Sequence, residues 1–407
     1  MKGFFSKDQV QLIGGETKGM SCATCGLYKT ALTPKMEPYG DFRKKIMVIG
    51  ESPVHDDDEK GKPFHSKGGR LLQRKFKQLG IDLFKDCVCL NAVNCRATDK
   101  KGADRAPTDT ELGCCRSKVL TTIKSYQPEV ILLLGGFPTA SLVAYRWKGG
   151  SSGITLWRGW AIPDRKYNAW VCPVFHPVYV ERQEDNGVID LIWERDLKQA
   201  FSRIGKPFPY STNEEDHIII TEDIESVVEE MSGSPFIAFD IETTGLKPYN
   251  KALHKTVSIS FCNDVNKAYA LPFPTKRRQV NALKKLLEDP KIGKIAANMK
   301  YEDTWLNIMH GIHVRPWKFD TMQAAHILDN RPGITGLKFQ SYVQFGVLGY
   351  DDDAAPYLKS ADSYGVNRIM ELVETKEGFR RLLLYNGIDS LATFRLALRQ
   401  MKEMGLK

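Results

Sequence analysis

The chain has 407 residues, 42% apolar and 26% charged, a composition that excludes a disordered or fibrous protein and predicts two or three globular domains. Its 58 Lys and Arg residues outnumber 49 Asp and Glu residues, and the formal charge of +9 favours a polyanionic partner, nucleic acid first. No apolar run reaches the roughly 18–20 residues that span a bilayer, and the start has no signal-peptide core, so we expect no membrane partner and a cytoplasmic location.

Cysteine is the first residue type that points to chemistry. Eight of the nine cysteines lie in the first half of the chain, and the odd number argues against a disulfide framework in a reducing compartment. A polar lead segment, 1–20, precedes Cys22-Ala-Thr-Cys25. Redox, zinc and iron–sulfur proteins all use a C-x-x-C pair, so the pair alone predicts a metal, cluster or redox site and leaves its type open.

The first half of the chain alternates strands and helices. Apolar runs predict strands over 45–49, 87–90, 130–134 and 169–173, and helical patterns cover 69–79, 109–126 and 137–145. This alternation predicts an α/β domain over 21–205, with a mostly parallel sheet covered on both faces. The first strand runs into Gly50-Glu51-Ser52-Pro53, the strand–loop–helix layout in which open α/β sheets usually place a site.

Polar, aromatic and cysteine residues recur around these strands. In chain order they are Cys22, Cys25, Glu51, Ser52, Asp57, Phe64, Asn91, Cys95, Cys114 and His176. With its flanking residues, this set resembles the iron–sulfur uracil-DNA glycosylases, the family usually numbered four, in order from residue 22 to about residue 182. The resemblance implies a three-layer glycosylase fold that takes a uracil base out of the DNA stack into a pocket.

The resemblance assigns a role to three of these side chains. Phe64 would stack on the extruded uracil, because an aromatic face suits a planar base. Asn91 would read the pyrimidine edge, since its amide offers both a donor and an acceptor. His176 would hydrogen-bond the uracil O2 and stabilise the leaving anion.

Two acids and one serine complete the implied pocket. Glu51 and Asp57 would orient the attacking water and favour the cation that develops on the sugar. Ser52, at a position where the family has Ala or Gly, would contact the substrate. The chain also departs from the family at Val54, where the family has glycine, and at His65-Ser66, where it has Val-Gly. We expect the β-branched Val54 to crowd a backbone that glycine would let approach the substrate.

The resemblance also implies a cofactor. The cysteines that match the cluster ligands of the family are Cys22, Cys25, Cys95 and Cys114. Cys115 is a rival to Cys114, which keeps the family's spacing to the helix that follows. A 4Fe–4S cluster held by four thiolates is therefore expected. Zinc is the alternative, because four cysteines also suit that ion.

A polar stretch with two prolines, 206–215, predicts a linker to a second domain over 216–407. In this second half, strands are predicted over 217–220, 236–241, 257–261, 268–272 and 294–297, and helices over 221–231 and 279–287. The three central strands read as an antiparallel meander, so we expect a mixed sheet.

Asp240 and Glu242 follow a short apolar run in the strand predicted over 236–241. Residues two apart on a strand point to the same face, so the two carboxylates would repel each other unless a cation lay between them. Hard divalent ions such as Mg²⁺ accept oxygen ligands of this kind. The pair therefore predicts a divalent metal site, provided that more acids converge on it.

Further acids follow on two predicted helices. The strand before residue 298 leads into a helix whose first turn carries Glu302 and Asp303, and Tyr385 and Asp389 share one face of the last helix. In this order the motifs resemble the DEDD exonucleases of the tyrosine subtype, most closely the proofreading domain of family A DNA polymerases. The resemblance starts at about residue 215 and implies an RNase H-like fold with 3′–5′ exonuclease activity.

The second resemblance implies two Mg²⁺ or Mn²⁺ ions bound by three carboxylates, those of Asp240, Glu242 and Asp389. Tyr385 would position the attacking water. Glu302 fits the family register and Asp303 is its rival, because helix neighbours are turned about 100° apart and one of them faces the metals. Asp320 is expected to be structural.

Two motif sets in one chain predict a bifunctional DNA-processing enzyme that excises uracil and degrades single-stranded or frayed 3′ ends. Certain phage family A polymerases look like this chain extended by a polymerase domain. We find no polymerase motifs, so we expect a truncated product, a split gene or a free-standing protein, with a DNA polymerase domain or subunit as a partner. If the gene is phage-encoded, the location is the cytoplasm of a bacterial host.

Two alternatives stay open. In the first, the glycosylase-like domain is inactive and serves as a uracil sensor or DNA clamp for the exonuclease and a partner polymerase. In the second, the acids are degenerate and the whole chain is a polymerase scaffold.

Overall fold

The computed structural model of the chain describes residues 21–149, 153–183, 186–210 and 213–406, so the lead segment 1–20 lies outside the described residues. The chain divides into two compact units. The first runs to Pro209 and includes Val343–Gly346, and the second holds Tyr210–Tyr342 and the residues after Gly346. No helix within the described ranges is long and apolar enough to cross a membrane.

The first unit is built on a five-stranded sheet with the spatial order β2-β1-β3-β5-β4. The strands are β1 (Ile46–Gly50), β2 (Cys87–Asn91), β3 (Val130–Leu134), β4 (Ile162–Asp164) and β5 (Ala169–Val174). Neighbours are parallel except for the edge pair β4 and β5. Every residue of these strands is buried, so both faces of the sheet are covered. The predicted parallel α/β fold is confirmed; the three-residue β4 was too short to be predicted.

The α-helices described in the first unit are α1 (Cys22–Cys25), α2 (His55–Lys60), α3 (Lys67–Gln78), α4 (Asp109–Tyr126), α5 (Gly136–Leu142), α6 (Gly153–Trp157), α7 (Pro177–Glu181) and α8 (Gly187–Phe201). The prediction of one helix over 137–145 is wrong at its end. The helix ends at Leu142, because the φ of −116° at its C-cap, Val143, departs from the regular helical value of about −63°, and a 3₁₀ turn, Ala144–Arg146, follows.

The carboxyl ends of the parallel strands form one edge of the first sheet. Gly50 at the end of β1 is paired with Asn91 at the end of β2, and Leu134 at the end of β3 is paired with Val174 at the end of β5. The segments that follow these strands therefore leave from the same edge, at strand spacings of about 4.8 Å. Most of the residues predicted to bind uracil lie on these segments.

The second unit contains a six-stranded sheet with the spatial order β11-β10-β7-β8-β9-β6. The strands are β6 (Ile218–Ile220), β7 (Phe236–Thr243), β8 (Thr256–Asp264), β9 (Lys267–Pro272), β10 (Gly293–Ala296) and β11 (Trp317–Asp320). The strands β7, β8 and β9 form the predicted antiparallel meander, and the other neighbouring pairs are parallel. The predicted mixed sheet is thus confirmed.

The α-helices described after residue 210 are α9 (Ile224–Ser232), α10 (Arg277–Leu287), α11 (Met299–His310), α12 (Thr321–Leu328), α13 (Leu337–Phe345), α14 (Ile369–Val373) and α15 (Lys376–Glu403). All belong to the second unit except the last three residues of α13, which are assigned to the first. The helix predicted from residue 221 begins later, because Asp223 is its N-cap and accepts a hydrogen bond from the Ser226 backbone N–H at 3.1 Å.

The last helix, α15, has 28 residues and packs across β7, β8 and β9. Gly387 lies at the closest approach: a Cβ atom there would come within 2.5 Å of the Ile218 side chain. A glycine at this point lets the helix lie directly on the sheet. The helix therefore brings Tyr385 and Asp389 over the strand that carries Asp240 and Glu242.

Candidate functional site

The carboxyl edge of the first sheet brings Phe64 and Asn91 together. A Cβ atom on Gly50 would lie 2.5 Å from Asn91 Oδ1 and 2.8 Å from Phe64 Cζ, so the position between the amide and the ring requires glycine. Phe64 has a φ of +61°, a left-handed conformation that is costly for a bulky residue. Backbone strain of this kind clusters at functional sites. Two of the predicted uracil-binding side chains therefore lie side by side, both buried.

Asp57 holds the loop that presents Phe64. Its Oδ1 accepts hydrogen bonds from the backbone N–H groups of His65 at 2.7 Å and Ser66 at 2.9 Å, and its Oδ2 accepts one from Val54 at 3.4 Å. Burial raises the pKa of the Asp57 carboxyl, and these N–H groups oppose the rise. Both oxygens are thus engaged by the loop backbone, which makes Asp57 a positioning residue in this structure.

Glu51, the other predicted acid of this edge, directly follows β1. Burial raises the pKa of its carboxyl to about 7. A carboxyl with this pKa exchanges a proton near neutral pH, which is the property that a group assisting the attack of water needs. The next residue, Ser52, is half-buried on the same segment.

His176 lies two residues after β5 and caps α7. Its Nδ1 accepts a hydrogen bond from the Val178 backbone N–H at 3.2 Å. In the neutral ring the proton is therefore on Nε2, which can donate. Burial lowers the pKa of His176 to about 4, and the charge of Arg182 acts in the same direction. The ring is consequently neutral at pH 7 and offers one fixed donor.

The loop accommodates the departures from the family pattern. Val54 has a φ of −99°, which any residue can adopt, so its backbone conformation does not require glycine. His65 stacks on Phe84 with ring centroids 4.9 Å apart. Ser66 caps α3 by accepting a hydrogen bond from the Gly69 backbone N–H at 3.4 Å. His65 and Ser66 thus have packing and capping roles of their own.

Cysteines line one cavity of about 380 Å³ in the first unit, namely Cys22, Cys25, Cys95, Cys114 and Cys115. The Cys95 Sγ accepts a hydrogen bond from the Lys35 backbone N–H at 3.2 Å. Burial raises the pKa of the Cys95 and Cys114 thiols and raises that of Cys115 to about 12. The four predicted ligands therefore converge, with the rival Cys115 on the wall of the same cavity.

In the second unit, three acids meet where α15 crosses β7: Asp240, Glu242 and Asp389, here called the acid cluster. One carboxylate oxygen of each lies within 4.8 Å of those of the other two. Burial raises the pKa of Asp240 and Glu242 well above the usual range, and the neighbouring carboxylates add to the rise. Three carboxylates this close repel one another, and hard divalent ions prefer such an oxygen set.

Of the two rival acids on α11, Glu302 faces the acid cluster. Glu302 is 2% exposed, and its Oε2 has no hydrogen-bond partner among the described residues. Burial and the charge of Asp240 raise its pKa well above the usual range. Asp303 is half-buried beside it. Asp320 accepts backbone hydrogen bonds from the starts of α11 and α12, at 2.9 and 2.8 Å, and so has the predicted structural role.

Tyr385 lies one helical turn before Asp389 on α15 and is 8% exposed. Burial raises the pKa of its hydroxyl well above 10, and the charge of Asp389 adds to the rise. The hydroxyl therefore keeps its proton at neutral pH and can donate a hydrogen bond beside the acid cluster.

Two residues that the sequence analysis missed hold Asp389. Lys338 Nζ forms an ion pair with Asp389 Oδ1, and the Tyr350 hydroxyl donates to the same oxygen at 2.6 Å. Lys338 Nζ also lies 4.1 Å from the centroid of the Tyr385 ring and 4.3 Å from that of Tyr350, within the range of cation–π attraction. Neither residue belongs to a spaced motif, so no sequence signal pointed to them.

A third missed residue is Asn386, which is fully buried on α15. Its Nδ2 donates to Asp240 Oδ2 at 2.7 Å, and its backbone carbonyl accepts from Ser260 Oγ at 2.8 Å. Asn386 therefore fixes the orientation of one acid of the cluster. Its position directly after the motif tyrosine, on a helix that had to be buried, was a signal that could have identified it.

Two joined loops, one of which directly follows the strand of Asp240 and Glu242, carry exposed apolar side chains. Gly245, two residues after β7, forms an antiparallel bridge with Val366. Leu246 and Tyr364, next to this bridge, are 55% and 65% exposed, and Lys247 Nζ lies 4.4 Å from the centroid of the Tyr364 ring. We call Leu246, Tyr364 and Val366 the apolar rim. Exposed aromatic faces of this kind can stack on unpaired bases.

Two known families match the chain. The family described as Uracil DNA glycosylase superfamily matches residues 37–198, and the family described as 3'-5' exonuclease matches residues 217–348. A type-4 uracil-DNA glycosylase of Thermotoga maritima is 31% identical over 185 residues, which cover 46% of this chain and 90% of the relative.

Two further proteins are similar to part of the chain. A DNA polymerase of Bacillus phage SP01 is 24% identical over 354 residues, 78% of this chain and 36% of the polymerase, so the chain spans about a third of that relative. A solved structure of Brucella melitensis NrnC is 19% identical in sequence, with a TM-score of 0.33. The match covers 46% of this chain and 82% of the NrnC chain.

Proposed function

Because the chain belongs to the type-4 uracil-DNA glycosylase family through its first unit and carries a 3′–5′ exonuclease domain in its second, we propose that it is a bifunctional DNA-processing hydrolase. The first unit excises uracil from DNA, and the second removes nucleotides from 3′ ends. The observation that carries the proposal furthest is the convergence of the acid cluster to within 4.8 Å, from acids far apart in the sequence.

In the first unit, His176 is arranged to stabilise the leaving base. Breaking the bond between the sugar C1′ and the uracil nitrogen leaves negative charge on the base, including on O2. A neutral ring with its proton on Nε2 donates to that oxygen without having to lose a full proton. Phe64 would stack on the extruded base and Asn91 would read its edge, in agreement with the position of both side chains next to Gly50.

Glu51 would orient the attacking water and accept its proton. Asp57 is engaged by the loop backbone, so Glu51 is the implied acid whose carboxylate is left to orient the attack. The water oxygen forms a bond to C1′, and the water proton passes to the Glu51 carboxylate. The same negative charge favours the cation that develops on the sugar. A pKa of about 7 suits a group that accepts and releases this proton at neutral pH.

For the cysteine cavity we propose a 4Fe–4S cluster and not zinc. Four thiolates at about 2.3 Å from one zinc ion place their sulfurs about 3.8 Å apart. Within the described residues, no three cysteine sulfurs lie within 4.8 Å of one another, although four candidate ligands line the same cavity. This wider setting suits a multi-iron cluster. Cys22 and Cys25 on α1, Cys95 after β2 and Cys114 on α4 would hold it, so the group would tie these parts of the first unit together.

The donor set of the second unit fits two Mg²⁺ or Mn²⁺ ions, since the acid cluster offers only oxygen ligands and Glu302 adds a buried oxygen that has no hydrogen-bond partner in the described part of the chain. When bound, such ions stabilise the attacking and leaving oxygens of a phosphodiester. The protein side chains supply the orientation: Asn386 orients Asp240, and the protonated Tyr385 hydroxyl would position the attacking water.

The substrate of the nuclease would be a single-stranded or frayed DNA end. The apolar rim offers faces for the terminal bases, and Lys247, stacked on Tyr364, offers a positive charge for the backbone. The net charge of +9 supports a polyanionic substrate. Similarity to a phage DNA polymerase over 78% of this chain supports a polymerase as the partner that hands over such ends.

One assay tests both activities. A single-stranded, uracil-containing oligonucleotide is incubated with the protein in EDTA and then in Mg²⁺. Alkali-labile abasic sites should form in EDTA, and mononucleotides should be released only in Mg²⁺. Asp240→Ala should abolish release and spare excision, and His176→Ala should do the reverse. Release without any abasic product would turn the first unit into a uracil sensor or clamp, and release by Asp240→Ala would refute the metal site.

A further inference from the structure

Lys338 lies at the acid cluster, but the chemistry proposed for the nuclease site gives it no role. Its Nζ contacts Asp389 Oδ1 and donates to the Tyr350 hydroxyl at 3.0 Å. The rings of Tyr385 and Tyr350 lie beside the same ammonium, with centroids 4.1 and 4.3 Å away. The charge of Lys338 also acts on Asp240 and Glu242. The ammonium of a lysine on a solvated helix face is not expected to make four interactions of this kind.

Asp389 Oδ1 has two donors in this arrangement, Lys338 and Tyr350. A carboxylate oxygen saturated in this way cannot ligate a cation until at least one donor leaves. The Tyr350 ring packs against a buried hydrophobic cluster that includes Leu382 and Tyr385, whereas the Lys338 side chain is 27% exposed at the end of a flexible stem. Lys338 is therefore the donor that can move.

We propose that Lys338 is a built-in counter-ion of the nuclease site, which neutralises Asp389 in the free enzyme and transfers to the phosphodiester when DNA binds. The proposal rests on the proposed exonuclease function and adds its regulation. A divalent ion competes with the ammonium for Asp389, so the free enzyme binds the ion weakly. A DNA phosphate gives the ammonium another partner, so the ion and the DNA favour each other's binding.

The first test is a Mn²⁺ titration of the full chain without DNA, followed by electron paramagnetic resonance. Lys338→Met removes a positive charge next to three carboxylates, so it should tighten Mn²⁺ binding by about tenfold or more. Lys338→Arg keeps the charge and should bind Mn²⁺ like the wild type. Lys300→Met, at an exposed position of α11, makes the same change in net charge and should alter the affinity by less than about twofold.

The outcomes separate this inference from the function on which it rests. If Asp240→Asn binds Mn²⁺ as the wild type does, the proposed metal site is wrong. If Asp240→Asn loses the binding while folded Lys338→Met binds no tighter than the wild type, the counter-ion role alone is refuted. Lys338→Gln, of similar length, replaces Lys338→Met if circular dichroism shows that the methionine variant does not fold.

The second test adds a short oligothymidylate whose terminal linkages are phosphorothioates that resist hydrolysis. For the wild type, this oligonucleotide should tighten Mn²⁺ binding by about fivefold or more, because the phosphate takes Lys338 away from Asp389. For Lys338→Met, the gain should be less than about twofold, since no ammonium has to leave. An equal gain in both proteins would show that Lys338 does not transfer to the DNA.

Discussion

At the scale of single residues, burial shifts the pKa values of Glu51 and His176 in opposite directions, and each shift suits a different role. Burial raises the pKa of the Glu51 carboxyl to about 7 and lowers that of the His176 ring to about 4. Across the neutral range the histidine therefore stays a neutral donor, while the carboxyl changes from acid to base. Pairs of titratable groups with pKa values pushed apart in this way divide the acid and base roles of an active site.

This pair predicts the pH dependence of uracil excision. A carboxyl with a pKa of about 7 is protonated below that pH, so the single-turnover rate should rise with pH and level off above about 7. The His176 ring should add no inflection above pH 5, because its pKa is about 4. The measurement is excision from a uracil oligonucleotide between pH 5 and 9, with EDTA present to silence the nuclease.

Two variants identify the group that titrates. Glu51→Gln should slow excision by about a hundredfold and remove the inflection. Glu59→Gln, an exposed acid on α2, should leave the profile unchanged. An inflection near pH 7 that persists in Glu51→Gln would assign the titration to another group.

The raised pKa of Asp240 predicts that the stability of the second unit depends on pH. Its pKa is raised by burial and by Asp389, so the folded state binds a proton that the unfolded state has released. In EDTA, stability should therefore fall as the pH rises from about 4 toward neutrality. Asp240→Asn removes the charge and should raise the melting temperature of the second unit in EDTA at pH 7.5, by about 2–4 °C for each kcal/mol gained.

The matched control is Asp303→Asn, which changes the neighbouring acid that is only half-buried. Its melting temperature in EDTA should stay within about 1 °C of the wild type, since surface substitutions have small effects. A lower melting temperature for Asp240→Asn would mean that the cluster stabilises the fold without metal, contrary to this account.

At the scale of elements, α4 is the helix on which the cysteine cavity depends, because it carries Cys114. Its first turn is held by Glu111, which accepts hydrogen bonds from Arg105 at 2.6 and 2.9 Å and from the Thr108 backbone N–H at 2.8 Å. Glu111→Ala removes the capping box and leaves Arg105 without this partner. We expect the first unit to lose about 2–3 kcal/mol of unfolding free energy and some of its bound iron.

Thr121→Ala is the control for this change, because Thr121 lies on the exposed face of the same helix. It should alter stability by less than about 0.5 kcal/mol, since alanine is a good helix former. Urea unfolding and iron analysis of both variants would check the expectation. Equal stabilities would show that the capping network of α4 is dispensable.

Elements with a local pattern could be predicted from the sequence. The strands β1, β2, β3 and β5 of the first sheet were placed to within one residue, because each is a short apolar run bounded by turn residues. Tyr385 and Asp389 were placed on one helix face by their spacing alone. Lys338 and Tyr350 could not be found in this way, because their role arises from where α13 and the segment after it pass α15, and no periodicity encodes that contact.

At the scale of the molecule, the apolar cores follow the two units. In the described part of the chain, one hydrophobic cluster contains β1, β3 and β5 residues of the first unit, and the other clusters draw only on the second. Each unit thus has a core of its own, as expected of domains of about 200 residues. The acid cluster lies within the second unit and the cysteine cavity within the first.

Separate cores predict two unfolding transitions in differential scanning calorimetry. A ligand stabilises the unit that binds it, so Mg²⁺ should raise one transition temperature and leave the other within about 1 °C. Asp240→Asn should abolish the shift, because the responding transition belongs to the unit with the acid cluster. His176→Ala, in the other unit, should keep it. A single transition that Mg²⁺ raises as a whole would mean that the two units unfold together, and each activity would then depend on the stability of both.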